Sequence, residues 1–258
     1  MPDNIQITIL MLSIADSNLY ILAINDIRAK YSNTSLGWLW IPLSFYIQIV
    51  SIAMIYSQIS GQDMASYISF MAWGIVTWNF VYLSLIDGAN AVETFRFTLL
   101  NSPQTLSDVI ARVFLKNAVI FLVQVCAMVV LTTFFLGLTL NPKVIILFLA
   151  AIFSCCYAII IFSCLSGAFI RDSGQIFSSA MGVLFLVSPI IWYPENVTKF
   201  RFVVDYNPMY YLSDFSRFAF TNRVIDYDHN VVLLVCIVSS SLLFLLLTKI
   251  GKHVTKYI

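Results

Sequence analysis

The apolar positions of the chain fall into six long runs separated by short polar breaks. The first follows Arg28-Ala29-Lys30-Tyr31 and a polar stretch, starts at Leu36-Gly37-Trp38-Leu39-Trp40-Ile41-Pro42, and continues to about Ile59 with no charged residue. About 20 apolar residues at 1.5 Å rise cross the ~30 Å hydrocarbon core of a bilayer, so this run predicts a membrane-spanning helix. Five further spans are predicted over residues 67–89, 109–136, 143–169, 175–191 and 231–248. The breaks are Gly61 to Ser66, the polar stretch 90–108, Gly137 to Pro142, Arg171-Asp172-Ser173-Gly174, and the long stretch 195–229. Ahead of the first span, Tyr20, Ala23, Ile24, Ile27 and Tyr31 recur at helical spacing among Asn25, Asp26, Arg28 and Lys30. This predicts an amphipathic helix on the membrane surface, capped by Asp16 or Ser17. A short solvated lead-in is the alternative.

Charge orients the spans. Arg28, Lys30, Arg96, Arg112, Lys116, Arg171, Lys249, Lys252 and Lys256 fall on one set of alternating segments and their flanks. The short opposite loops hold only Lys143, and the cations of 195–229 are balanced by acids. The positive-inside rule then places both termini in the cytoplasm of a multi-pass membrane protein. Trp38 and Trp40 stand where an interfacial aromatic belt belongs. Met1 to Asp3 carries no basic n-region, so Ile5 to Ile14 makes a poor signal peptide.

Composition agrees with a membrane chain and removes several functions. The 258 residues are 60% hydrophobic and 10% charged. A soluble domain carries about 25% charge. The net charge of +1 gives no field for nucleic acid. Cys126, Cys155, Cys156, Cys164 and Cys236 lie in apolar runs and read as buried small hydrophobes, not as ligands. No ionisable residue stands near the middle of a predicted span, where proton- or ion-coupled carriers keep one. Neither a Ser/His/Asp set, a metal-spaced cluster nor a phosphate-binding glycine loop is present. The chain thus shows no motor and no catalyst of its own.

The polar segments offer places for a partner. Ala91 to Leu100 forms a short helix with Val92, Phe95 and Leu99 on one face and Glu93 and Arg96 elsewhere, stopped by Ser102-Pro103. It reads as a docking helix, with a plain connector as the alternative. In 195–229, Asn207-Pro208 predicts a helix start. Beyond it Tyr211, Leu212, Phe215, Phe218 and Ala219 share helical spacing, and Asp214 and Arg217 form an (i, i+3) pair on another face. Some fourteen residues are too few to cross, so this is a short interfacial or re-entrant helix, preceded by a short helix near 197–204. Trp38, Trp40, Phe45, Tyr46 and Tyr56 near the first span, and Phe185, Trp192 and Tyr193 near the fifth, supply aromatic faces on which sugars stack.

These residues together resemble a known family. Arg28 to Pro42, the run Asn101 to Lys116, Arg171-Asp172, Ser188-Pro189-Ile190-Ile191-Trp192-Tyr193, and Tyr206-Asn207-Pro208 with Arg217 are similar, in order and spacing, to segments of the permease subunits of ABC exporters for bacterial polysaccharides. The resemblance implies an all-α membrane protein of six transmembrane helices. Residues 1–35 would hold an interface helix and 36–192 spans one to five, with a coupling helix near 91–101. Residues 193–229 would form outer gate helices, and 230–258 the sixth span and a cytoplasmic tail. It implies a homodimer in the bacterial inner membrane with two cytoplasmic ATPase subunits, which bind ATP and Mg; this chain would hold no cofactor. The substrate would be a polysaccharide on undecaprenyl diphosphate or a similar lipid, of O-antigen type given a compact chain with short tails. Capsule and teichoic acid export are alternatives. Arg28 and Lys30 would meet the lipid pyrophosphate. Trp38, Trp40, Phe45, Tyr46, Tyr56 and Phe185 would line the glycan channel. Glu93, Phe95, Arg96 and Leu99 would dock the ATPase, near the inner turn Arg171 and Asp172. Trp192, Tyr193, Asn207, Pro208, Tyr211, Phe215 and Arg217 would form the outer gate. A membrane enzyme acting on lipid-linked sugars through Asp87, Asp108 or Asp172, and a small-molecule ABC permease, are the competing readings.

Overall fold

The computed structural model describes residues 18–61, 63–136, 141–196, 199, 201–221 and 228–254, and every regular element among them is a helix. In chain order these are α1 (18–31), a 3-10 turn (Gly37–Leu39), α2 (Trp40–Ser60), α3 (Met64–Ala89), α4 (Ala91–Thr94), α5 (Arg96–Asn101), α6 (Leu106–Leu136), α7 (Pro142–Phe169), α8 (Ser173–Val187), a 3-10 turn (Pro194–Asn196), α9 (Arg201–Asp205), α10 (Pro208–Thr221) and α11 (His229–Val254). The proposed caps at Asp16 and Ser17 and the last residues of the tail lie outside the described residues.

Short-range chemistry sets the ends. Gly61 adopts φ 65° and closes α2, its N–H donating to Gln58 O. Asp63 then caps α3 by accepting from the N–H groups of Ala65 and Ser66. Thr105 and Asp108 form a reciprocal cap on α6: Asp108 Oδ2 accepts from Thr105 N at 2.7 Å, and Thr105 Oγ1 accepts from Asp108 N at 3.3 Å. The predicted helix 91–100 is broken at Phe95 into α4 and α5, and it ends before Ser102-Pro103 as expected.

Five helices are long and apolar enough to cross a membrane: Gly37–Ser60, Met64–Ala89, Leu106–Thr133, Pro142–Phe169 and Asn230–Leu247. The predicted fifth span differs. As α8 it has 15 residues, which rise only about 22 Å. The reason is Pro189, which disfavours helical geometry at the residue before it; Ser188 is extended, with ψ 139°. The non-helical residues 188–191 complete the path. Gly174, at the start of α8, lies against the Asn90 side chain. Phe185 meets Trp78 with ring centroids 5.3 Å apart. Ile190 lies against Gly74, and the Ile191 carbonyl accepts from the Tyr67 hydroxyl. The segment 173–191 therefore runs antiparallel to α3 from Asn90 to Tyr67, a rise of about 35 Å. Apolar composition alone does not tell this helix-plus-extended path from a continuous helix.

The centre of the bundle is α3. Residues 70–78 of it are buried without a break, and it packs on α2, α6, α7, α8 and α10. Its lower end touches α7 backbone to backbone. A Cβ on Gly88 would overlap Ser163 Oγ, and one on Gly167 would overlap the Ala89 carbonyl. Small residues permit such approach between membrane helices, where packing rather than a hydrophobic drive holds helices together. On its far side α7 holds α11 through Ser154, whose Oγ donates to Cys236 O at 2.8 Å and lies 2.7 Å from Ser240 Oγ. Cys155, Cys156, Cys164 and Cys236 are at least half-buried, whereas Cys126 is exposed on α6.

Gly167→Val is expected to push α7 off α3. The cost is about 1–3 kcal/mol, that of overpacking a close contact. The measurement is thermal unfolding of the purified protein in detergent, where an unchanged midpoint would contradict the backbone contact.

Candidate functional site

At one end of the bundle, α10 is buried rather than lying on the surface. Asn207 caps it, its Oδ1 accepting from Met209 N at 2.9 Å, as its Asn-Pro start predicts. Phe215 packs edge-on against Phe148 of α7, and Phe220 stacks flat on Trp73 of α3 with centroids 3.7 Å apart. Arg217, expected beside Asp214 at the outer surface, has no exposed area at all. Asp214 Oδ1 does lie 3.9 Å from it, but that carboxylate is buried too.

The guanidinium of Arg217 is spent on backbone. Its Nε donates to Phe70 O at 2.9 Å, and one terminal nitrogen donates to Pro189 O at 2.8 Å and Ile190 O at 3.3 Å. It stacks 3.7 Å from the centre of the Phe70 ring. Gly74 makes the room: a Cβ there would stand 2.8 Å from that nitrogen. Ser216 adds a bond from α10 to Trp73 O, and Asn207 Nδ2 donates to Ser188 Oγ at 2.9 Å. The physical cause is the break at 188–191. Backbone carbonyls outside a helix at membrane depth must find donors within the protein, and a planar five-donor fork serves several at once. Of the residues expected at an outer gate, Tyr193 stacks on Phe70 at 4.1 Å, and Asn207, Phe215 and Arg217 are buried here. Trp192, Pro208 and Tyr211 stand at the rim, where Trp192 Nε1 donates to Leu186 O and Tyr211 Oη to Asp205 O.

At the other end, α1, α4, α5 and the 171–172 turn meet the starts of α6 and α8. Arg112 of α6 holds Asp26 of α1 with two bonds, Nε–Oδ2 at 2.8 Å and Nη2–Oδ1 at 2.7 Å. The same guanidinium lies 4.4 Å from the centre of the Phe95 ring. One helical turn deeper, Lys116 pairs with Asp87 of α3 at 2.8 Å. These groups border a cavity of about 340 Å³ whose walls are Ile27, Leu83, Val113 and Ile120, and whose polar groups are Asp26, Lys30, Asp87, Asn90, Thr94 and Lys116. Lys30 faces this cavity; Arg28 is exposed and does not line it. The expected cationic pair is thus divided, and Lys116 joins Lys30 instead. Tyr31, with Lys30 Nζ 5.7 Å from its ring, has its phenol pushed above the usual range by burial.

A second, more polar cavity of about 630 Å³ brings Glu93, Arg96, Arg171 and Asp172 together with Asn90 and Gly167. The expected docking residues divide here. Phe95 and Leu99 turn inward onto a cluster around Val92, Leu106 and Val109 and fix α4 and α5 to the bundle. Glu93 and Arg96 face outward, as do Phe97 and Leu100, which the sequence reading passed over. Phe97 is 79% exposed. It was missed because helical spacing marks the apolar stripe that packs inward, and Phe97 is off that stripe.

The aromatic set expected along a channel is also divided. Trp38, Trp40 and Tyr56 are exposed on α2 and its lead-in. Phe45 is buried in the bundle, Tyr46 donates its hydroxyl to Ala127 O at 2.6 Å, and Phe185 is half-buried on Trp78. Two of the three carboxylates that a lipid-sugar enzyme would use have structural partners, as Asp87 holds Lys116 and Asp108 caps α6, while Asp172 lines the 630 Å³ cavity. Among the described residues no three His, Cys, Asp or Glu side chains gather as a metal site would need.

Helices α1 to α10, with both ends just described, coincide with the residues 17–220 that match the ABC-2 type transporter family model. The chain belongs to the ABC-2 type transporter family. It is a transmembrane subunit of an ABC exporter, a transport component whose class works with an ABC ATPase. No curated protein matches the chain. In this permease the family match ends within α10, so it takes in the Arg217 clamp and stops short of α11.

Replacing Arg217 by Met is expected to leave the Pro189 and Ile190 carbonyls without their donor and Phe70 O with its helical N–H alone, at about 3–5 kcal/mol, the usual loss when one partner of a buried charged network is removed. Lys, a point donor on a round ammonium, should recover only part of this. Gly74→Ala should mimic the loss by displacing the guanidinium. Thermal midpoints of the three variants, read by size-exclusion after heating, test the clamp; an Arg217→Met midpoint equal to the native one would refute it.

Proposed function

We propose that this permease is the channel-forming half of an ATP-driven polysaccharide exporter in the bacterial inner membrane, working as a homodimer with two ATPase subunits. The observation that carries this reading is the α4–α5 end. There an exposed Phe97 and Leu100 sit beside Glu93, Arg96, Arg171 and Asp172 around a concave polar seat. Large apolar side chains exposed beside a charged seat mark a protein-binding surface. ATP and Mg belong to the partner that would fill it. Two of the three candidate carboxylates, Asp87 and Asp108, are already engaged in structure, which favours a conduit over a membrane enzyme.

The substrate is an undecaprenyl-diphosphate-linked glycan of O-antigen type, with capsule or teichoic acid as alternatives; this rests on the residue resemblance. Its diphosphate would enter beside Lys30 and Lys116, since interfacial cations receive phosphate groups. Its sugars would pass the exposed aromatic faces of Trp38, Trp40 and Tyr56 in a channel between two copies. Both termini face the cytoplasm. The packed α10 with Trp192 and Tyr211 at its rim would be the exit gate, moving with α3 rather than swinging as a loose lid.

The test is ATP turnover of the complex purified after co-expression with its ABC ATPase, with and without lipid-linked O-antigen, capsule or teichoic acid glycan. Glycan-modulated turnover in a stable complex is the expected result. Arg96→Glu or Phe97→Asp should weaken assembly or lower coupled turnover by roughly tenfold, a typical coupling between sites. Trp40→Ala should keep assembly and blunt the glycan response. A chain that purifies alone and transforms a lipid-linked sugar without ATP would overturn the reading.

A further inference from the structure

Arg112 occupies a position that neither ion pairing nor topology explains alone. A cation needed only for orientation would lie free at the surface, and one needed only to hold α1 would not also be stacked on a ring of the α4–α5 segment. Here one guanidinium does both. Its edge grips Asp26 of α1 by two bonds, and its face lies 4.4 Å from the Phe95 ring. Phe95 is the residue at which the short helix breaks, the joint between α4 and α5. Asp26 of α1 and Phe95 at the α4–α5 joint also line the 340 Å³ cavity, and Arg112 bridges them. From these we infer that Arg112 is a positioning residue: it makes α1 follow the α4–α5 joint, and so sets the opening of the Lys30–Lys116 cavity according to the state of whatever docks on α5.

The geometry fits this role in three ways. A bidentate arginine–carboxylate pair fixes orientation as well as distance, so rotation of the guanidinium turns α1 rather than merely loosening it. The stack on Phe95 is tolerant of sliding but not of separation, as cation–π contact depends on the ring face. Arg112 is also carried on α6, whose next turn bears Lys116, paired to Asp87 of α3. The base of the linkage is therefore anchored to the central helix while its two arms reach α1 and the α4–α5 joint.

This inference rests on the reading of α4–α5 as the ATPase docking segment, and the experiment separates the two. In a background without native cysteines, Leu83→Cys places a thiol in the cavity wall. The labelling rate of that thiol by a membrane-impermeant maleimide is measured on the complex with its ATPase in nanodiscs, without nucleotide and after trapping with ATP and vanadate. The expected result is a rate that changes at least about fivefold on trapping, the lower end of ordinary coupling between sites. Arg112→Gln and Phe95→Leu should each make the rate independent of nucleotide while the ATPase still co-purifies. Phe95→Tyr, which keeps a ring face under the guanidinium, should retain the dependence that Phe95→Leu removes, a recovery that a general packing role would not give. Where Arg112→Gln fails to fold, Asp26→Asn keeps the cation and serves instead. Nucleotide dependence retained in Arg112→Gln, Phe95→Leu or Asp26→Asn, or absent from the parent, overturns the inference. Failure of the parent chain to hold an ATPase at all overturns the functional reading instead.

Discussion

A backbone that leaves the helix inside a membrane must hydrogen-bond to its own protein, and most of this structure follows from how residues 188–191 meet that demand. Pro189 ends α8 at Val187, about one turn short of the predicted span. The carbonyls beyond it need donors in a place without water, each unsatisfied group costing several kcal/mol. Arg217 supplies them, with Tyr67 closing the last at Ile191. Once that cation is required, the rest is constrained. Gly74 must lack a side chain, Phe70 must offer its face, and α10 must come in from the surface far enough to deliver the guanidinium. A short helix with a polar stripe thereby becomes part of the core.

The opposite end obeys the same rule with different groups. There the helices α4 and α5 turn at the membrane edge, and charges are half-exposed, so paired carboxylates and cations serve in place of a single buried fork. Arg112 and Lys116, one turn apart on α6, tie α1 and α3 to the same helix. Between the two ends, α3 is buried along its middle and pressed against α7 without intervening side chains at Gly88 and Gly167. A helix so confined connects the two ends directly: α3 stops at Ala89, and α4 begins at Ala91.

This arrangement suits a component that is worked by another protein. Its charged pairs at the α4–α5 end, Arg112–Asp26 and Lys116–Asp87, join helices to one another. Its exposed apolar groups at the α4–α5 end, Phe97 above all, are those not needed for its own packing. The family match over residues 17–220 covers the helices that link the two ends, which is the part a shared mechanism would preserve.

The sequence by itself determined the helical, multi-pass class, the boundaries of five spans to within a few residues, the amphipathic α1 and the Asn207-Pro208 start of α10. These are local properties: hydrophobic length, helical period and capping chemistry act within a few turns. Only the tertiary structure decided that α8 is completed by an extended stretch and that Arg217 is buried. It likewise decided that Phe95 and Leu99 face inward while Phe97 faces out, and that Lys30 pairs its cavity with Lys116 rather than Arg28. Each of these depends on which residues distant in sequence arrive side by side. Arg217 looked like half of a surface ion pair because Asp214 is three residues away; its true partners are carbonyls of Phe70 and Pro189, groups every residue has and no sequence pattern marks.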